Sequence, residues 1–367
     1  MSLRTPFLIT RRHALFGAGA AMVAPGILSW PLMPRSASAQ GAVIDITRAR
    51  TDPIPIAIPD MAGASPEAQR FGRDIARVIQ TNLRNSGLFR PVERQAFIQS
   101  PEAAAATPRF QDWRVIGAQA LTTGRVDAQG DRLRVEFRLW DVLPEPGVQL
   151  QGTAFTAPAA QWRRIAHLIS DVIYERMLGE KGYFDTQIVY IAESGPRDRR
   201  TRRLAIMDQD GENHRFLTDG GFQALTPRFH PNARQIAFMS YFRNEPRVYL
   251  FNLDTGQQQV LGSFGGMTFS PRFAPDGRSV ILSAARGGDA NIFVVDLASR
   301  RERQLTSGGS LDVSPCYSPD GTQIVFNSDR GGDQQLYVMG ADGSGVRRIS
   351  FGNGRYATPV WAPRGDL

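Results

Sequence analysis

The sequence is poor in the residues from which catalytic sites and covalent frameworks are usually built. It contains one cysteine, Cys316, in 367 residues, so no disulfide can form within the chain and stability must come from packing. It contains four histidines, and only His167, His214 and His230 lie beyond the first forty residues. There is no Gly-x-Ser-x-Gly elbow, no His-Glu-x-x-His pair and no glycine-rich phosphate loop, so the familiar hydrolase, zinc-protease and nucleotide-binding signatures have no carrier. Beyond residue 39 no run is long and apolar enough to span a membrane. Composition carries no disordered or fibrous bias, with 42% apolar and 21% charged residues.

The N-terminus differs from the rest. Thr10-Arg11-Arg12-His13 leads into an apolar run from Ala14 to Leu28, and Ala37-Ser38-Ala39 follows. A charged start, an apolar core and an Ala-x-Ala site describe a secretory signal over residues 1–39. The paired arginines suit a twin-arginine signal, while Ala14 stands where that motif prefers Phe, so the general secretory route stays open. Cleavage after Ala39 removes Arg4, Arg11, Arg12 and Arg35 and no acid, which halves the formal charge of +8. Much of the remaining excess sits in Arg197-Asp-Arg-Arg-Thr-Arg-Arg203, which reads as a solvated loop rather than a nucleic-acid patch.

Residues 40–182 read as an α/β domain. Val43-Ile-Asp-Ile-Thr and Pro55-Ile-Ala-Ile-Pro are short strand candidates bounded by proline. Ser65-Pro66-Glu67 starts a helix, with Phe71, Ile75, Val78, Ile79 and Leu83 at helical spacing and Ser86-Gly87 at its end. Trp113 to Gly117 and Ala120 to Val126 read as strands, and Asp127–Asp131 as a turn. Leu133, Val135, Phe137 and Leu139 alternate with charged residues along a half-buried strand. A last strand over Val148 to Phe155 precedes a second helix from Pro158 to Gly179. His167 falls among aliphatics on that helix and reads as a packed or surface histidine. Asp208-Gln-Asp-Gly211 offers two carboxylates without the remaining ligands of a calcium loop. The arm from Gln40 to Ala57 can add a strand to a partner sheet or pair within its own domain.

From residue 183 onward a single ruler governs the chain. Pro227, Pro271, Pro315 and Pro359 recur every 44 residues, and so do Pro231, Pro275, Pro319 and Pro363. Leu217, Leu261, Leu305 and Ile349 keep the same step. Columns without slip mark tandem structural units. Each unit reads as four short strands joined by tight turns such as Pro275-Asp-Gly277 and Pro319-Asp-Gly321. Such units close into a β-propeller of about four to eight blades. About three and a half are present over residues 183–367, so the array reads as truncated, with roughly two blades beyond Leu367 if the ring holds six.

The repeat Pro-x-aromatic-x-Pro-Asp-Gly-x-x-Ile-x-Phe resembles the WD40-like repeats of the TolB and prolyl-oligopeptidase families. Asp74-Ile-Ala-Arg-Val-Ile-Gln-Thr-Asn-Leu-Arg-Asn-Ser-Gly-Leu-Phe89, Trp113-Arg-Val-Ile-Gly-Ala118 and Lys181-Gly-Tyr-Phe184 resemble the TolB N-terminal domain and its junction. The resemblance to TolB covers Val43 to Gly365. It implies a six-bladed propeller behind an α/β domain, in a periplasmic, non-enzymatic scaffold of the Tol-Pal envelope system. Such a scaffold serves outer-membrane integrity and cell division and touches the membrane only through its partners. It binds the peptidoglycan-associated lipoprotein at one mouth of the propeller and TolA through the mature N-terminus, here Val43, Ile44, Asp45 and Ile46. No cofactor, metal or nucleic acid is implied. The lipoprotein-facing loops correspond to Met267, Thr268, Phe269 and Ser270, and to Leu311, Asp312, Val313 and Ser314. Repeat symmetry adds Phe222–Leu225 and Tyr356–Thr358 to the same rim. The alternative is the propeller half of a serine peptidase of the prolyl-oligopeptidase type.

Overall fold

The computed structural model describes residues 52–242, 245–262, 264 and 266–362. The signal-like segment, the arm residues Val43, Ile44, Asp45 and Ile46, and the last five residues lie outside the described residues.

The first domain is built from β1 (Ile54–Ala57), β2 (Ala62–Gly63), α1 (Pro66–Asn85), β3 (Phe89–Pro91), α2 (Pro101–Ala106), α3 (Phe110–Val115), β4 (Ala120–Gln129), β5 (Arg132–Asp141), β6 (Val148–Pro158) and α4 (Trp162–Leu178). Its sheet runs β3-β1-β4-β5-β6, parallel across β3, β1 and β4 and antiparallel from β4 to β6. Ser65 Oγ accepts from the Ala68 N–H at 3.1 Å and so caps α1, with Pro66 in its first turn. Gly179, at φ 77°, ends α4. Ile75 and Ile79 of α1 and Ile169 and Ile173 of α4 are buried against Ile56, Val135 and Phe137 of the sheet. Each buried aliphatic contributes roughly 2 kcal/mol.

The opposite face of this sheet carries a second core that the periodicity did not reveal. Trp113, expected in a strand, lies in α3, fully buried against Ala57, Ala104, Leu121 and Val142. Its Nε1–H donates to Gln99 Oε1 at 3.0 Å, and its ring meets Phe97 edge-on at 5.3 Å. The apolar run misleads because one helical turn aims Phe110 and Trp113 at the sheet, while Arg109 and Asp112 pair in solvent at 2.7 Å. Burial of one large aromatic outweighs the strand preference of Val115 and Ile116. The expected turn over Asp127–Asp131 also contracts to Gly130-Asp131, because β4 and β5 pair through Gln129 and Arg132.

Among the described residues the second part contains four antiparallel sheets. Blade 1 has three strands, β7 (Gln187–Ser194), β8 (Thr201–Asp208) and β9 (Arg215–Phe216). Blade 2 holds β10 (Ala224–Phe229), β11 (Gln235–Ser240), β12 (Arg247–Asn252) and β13 (Gln258–Val260). Blade 3 holds β14 (Met267–Phe273), β15 (Ser279–Arg286), β16 (Asp289–Asp296) and β17 (Glu302–Gln304). Blade 4 holds β18 (Val313–Tyr317), β19 (Gln323–Ser328), β20 (Gln335–Gly340) and β21 (Arg347–Arg348). The first strands β10, β14 and β18 neighbour one another, the arrangement of inner strands around an axis. The segment expected to open a further unit, around Pro359–Trp361, carries no strand among the described residues, although Trp361 Nε1–H reaches the Cys316 carbonyl at 3.1 Å.

Strand alternation divides each blade between two neighbours. Ile236 and Phe238 of β11 pack with Leu204 and Ile206 of blade 1, while Ala237 between them packs with Val280 and Leu282 of blade 3. On β15, Ile281 turns the other way, to Ile324 and Phe326 of blade 4. Cys316 is buried beside Val325 and Val338, as a small apolar residue in a strand should be.

The ruler of the sequence becomes hydrogen bonding. Leu261, Leu305 and Ile349 each donate a backbone N–H, at 2.8–2.9 Å, to a carbonyl near the start of the third strand of their blade, and Leu217 donates at 2.7 Å to Leu204 of β8, the matching strand of blade 1. Gly277 and Gly321 take φ 74° and 73° and close their turns on Ala274 and Ser318. In the second of these turns the Ser318 hydroxyl, and then the Thr322 N–H and hydroxyl, hold the Asp320 carboxyl below its usual 3.8. A carboxylate with a depressed folded pKa contributes full stability above its unfolded value and loses it as pH falls through the folded one. Asp320→Ala is therefore expected to lower the melting temperature at neutral pH. The gap to the parent should close as pH drops below 3.8, which melts followed by circular dichroism will measure.

Candidate partner-binding rim of the propeller

Antiparallel order fixes two ends for every blade. The Asp-Gly turns and the loops after the third strands share one end. The starts of the first and third strands and the ends of the second and fourth share the other. The residues that the resemblance and the repeat symmetry assign to the rim all lie at this second end.

A repeated distortion shapes the rim. Thr226, Ser270, Ser314 and Thr358 stand 44 residues apart and adopt φ of 46°, 53°, 55° and 51°. Three of them begin a β-bulge, where the register jumps between Leu225 and Arg228, Phe269 and Arg272, or Val313 and Cys316. Two residues, the second a proline without an N–H, thus stand opposite the fully buried Phe238, Leu282 or Phe326. A non-glycine residue held at positive φ costs about 1–3 kcal/mol, which the surrounding blade must offset. The bulge also corrects one expectation. Met267, Thr268, Phe269 and Ser270 belong to β14, not to a loop, pairing with Ala285, Ala284 and Ser283 before the bulge. The strand extends past Pro271 on both sides, because a bulge lets the ladder pass a residue that cannot donate.

Within the rim the side chains divide into two kinds. Met267 and Leu311 are 43% and 39% exposed, and Phe269, Ser270, Val313 and Ser314 are half-buried. Thr268 and Asp312 are buried and position the backbone. Thr268 reaches the Pro246 carbonyl, and Asp312, at 0% exposure, receives Arg330 at 2.7 Å and the Ser310 hydroxyl at 3.2 Å. The Arg330 guanidinium also lies over Phe326 and Tyr337, 5.4 and 5.3 Å from their ring centres. Phe222 meets Phe242 edge-on at 5.0 Å beside a cleft of ≈ 650 Å³ that Arg247, Tyr249 and Val260 help to line. On the inner strands, Arg228 stands near its repeat equivalents Arg272 and Cys316. Desolvation, then the charge of Arg272, hold its guanidinium below its ordinary value.

The other end of blade 1 meets the first domain. Asp210, in the loop after β8, takes Arg163 of α4 at 2.8 Å, with His167 Nε2 at 3.5 Å. Gln209 Nε2–H donates to Asn82 Oδ1 of α1 at 3.0 Å, and Asn82 Nδ2 stands 2.9 Å from His167 Nδ1. His167 is thus buried and hydrogen-bonded, and burial lowers its pKa below the ordinary value. Sequence reading missed this junction, since residues 82, 163, 167 and 210 share no local motif.

The fold is that of an α/β domain mounted on one end of a repeat propeller, with the rim at the other. The family model of the TolB beta propeller domain matches residues 174–367, and that of the TolB amino-terminal domain matches residues 42–148. The chain belongs to the TolB family. The Tol-Pal system protein TolB of Paramagnetospirillum magneticum is 57% identical over 222 residues, 60% of this chain and 49% of that protein. The Tol-Pal system protein TolB of Pelagibacter ubique is 50% identical over 230 residues, 60% of this chain and 51% of that protein. The chain spans about half the length of these relatives. The crystal structure of TolB from Acinetobacter baumannii superposes with a TM-score of 0.72 at 28% identity, covering 86% of this chain and 75% of that one.

Removing one partner of a buried ion pair strands the other charge. Arg330→Ala is expected to lower stability by about 3 kcal/mol, and Asp312→Asn in the same chain to recover part of that loss. Urea unfolding of the two single variants and the double variant checks the coupling.

Proposed function

We propose that the chain is part of a periplasmic, non-enzymatic scaffold of the Tol-Pal envelope system. Its rim docks the peptidoglycan-associated lipoprotein and its arm, Val43, Ile44, Asp45 and Ile46, engages TolA. Through these partners it serves outer-membrane integrity and cell division, and it meets the membrane only through them. The family membership supports the Tol-Pal role. The observation that carries the docking surface is the polarity of the ring: one end is taken by the first domain, and the other presents Met267, Leu311 and the half-buried Phe269. Apolar anchors on a rigid, bulge-shaped edge are the usual centre of a protein interface. Thr268 and Asp312 act from beneath, by holding the strands that present these anchors.

The non-enzymatic reading draws on the histidines. His214 pairs with Tyr190, His230 with the Gly277 carbonyl at 2.9 Å, and His167 with Asn82. Among the described residues no helix is long and apolar enough to cross a membrane.

Phe269→Ala combined with Val313→Asp is expected to weaken capture of the purified lipoprotein roughly 30-fold, the equivalent of about 2 kcal/mol. The circular dichroism spectrum should not change. Capture at parental strength by the folded double variant would remove this rim as the docking surface.

A further inference from the structure

Two carboxylates from blade 1 and one imidazole from α4 converge where the domains meet. His167, Asp208 and Asp210 each offer a ligand atom within 4.8 Å of the other two. The His167 side chain is 2% exposed, and its Nε2 has no hydrogen-bond partner although Asp210 Oδ2 lies 3.5 Å away. That separation is long for a charge-assisted N–H···O bond, which settles near about 2.8 Å. It matches the edge between two ligands of a tetrahedral zinc ion, about 3.4 Å when each bond is about 2.1 Å.

We infer that His167 Nε2 and the carboxylates of Asp208 and Asp210 form a binding site for a divalent transition ion of the zinc type at the junction of the two domains, with water as the fourth ligand. One imidazole and two carboxylates suit zinc, whereas calcium takes six to eight oxygens.

The surroundings of a metal centre are also present. Behind His167, Nδ1 faces the Asn82 amide at 2.9 Å, and that amide is held in turn by Ser170 and Gln209, each at 3.0 Å. Ligation through Nε2 places the ring proton on Nδ1. Asn82 then turns its oxygen toward the ring by a half-rotation of the amide, and Ser170 and Gln209 reorient with it. Asp208 is steadied by Asn213 at 2.6 Å and Gln187 at 3.3 Å. Burial favours the neutral imidazole that a metal requires. A cleft of ≈ 370 Å³ reaches the cluster, lined by His167, Asp208 and Asn213 and by Arg163, Arg164, Arg215 and Arg234.

Arg163 is the competing cation, since its guanidinium occupies Asp210 at 2.8 Å. Glu212 lies 3.9 Å from the same guanidinium and can receive it when the ion arrives. The ion neutralises Asp208 and Asp210, Arg163 pairs with Glu212, and the site binds the two domains together.

The test is titration of the untagged, metal-stripped chain with Zn²⁺ by calorimetry and with Co²⁺ by visible absorption. One equivalent should bind at micromolar concentration, with the intense ligand-field bands of four-coordinate cobalt, and Zn²⁺ should raise the melting temperature. His167→Gln and Asp208→Asn should each weaken binding by at least about tenfold. Asp208 lies half-buried at the end of β8, so its amide variant keeps the test valid should the buried His167→Gln fail to fold. No saturable binding at micromolar ion, or equal binding by the parent and Asp208→Asn, would overturn the assignment. Lipoprotein capture plays no part in either readout, so this site and the rim stand or fall separately.

Discussion

A four-stranded sheet with two apolar faces cannot leave both in water, and that constraint organises most of this molecule. Ile236, Phe238 and Ala237 sit consecutively on one strand and face two different blades. Ile281 and Leu282 divide in the same way. No blade therefore owns a core, and each boundary is shared between neighbours. The 44-residue spacing repeats one strand-and-turn plan from unit to unit, so that equivalent strands meet across each boundary.

The same constraint separates the two ends of the ring. Antiparallel pairing sends the Asp-Gly turns one way and the bulged strand starts the other. The turn end of blade 1 receives the first domain through Arg163, Asn82 and Gln209. The opposite end keeps Met267 and Leu311 in solvent while Asp312 and Arg330 pair beneath them. The positive-φ residues Ser270 and Ser314 lie at this same end.

Much of the fold was legible because it rests on local or periodic rules. The Ser65 cap, the Gly179 stop and the Pro-Asp-Gly turns act within a few residues of chain, and each appears where the sequence places it. The repeat columns were legible because every copy states the same requirement. Trp113 was misread because strand preference and one turn of helix look alike over five residues, and only the sheet face behind it decides between them. Met267 to Ser270 were expected in a loop but belong to a strand, since a bulge leaves no local signature. His167 was read as a packed or surface histidine and is buried, but its nearness to Asp208 and Asp210 was invisible across some forty intervening residues.

By itself the sequence determined the α/β domain, the repeat length, the turn chemistry and the face of each strand that is buried. These follow from side-chain period and backbone preference, which act locally and need no knowledge of neighbours. Tertiary structure alone decided which rim residues face solvent, which lie beneath to support them, and which charges meet between the domains. Those outcomes depend on distances between segments far apart in the chain, which only blade-on-blade packing and the docking of α1 and α4 on blade 1 establish.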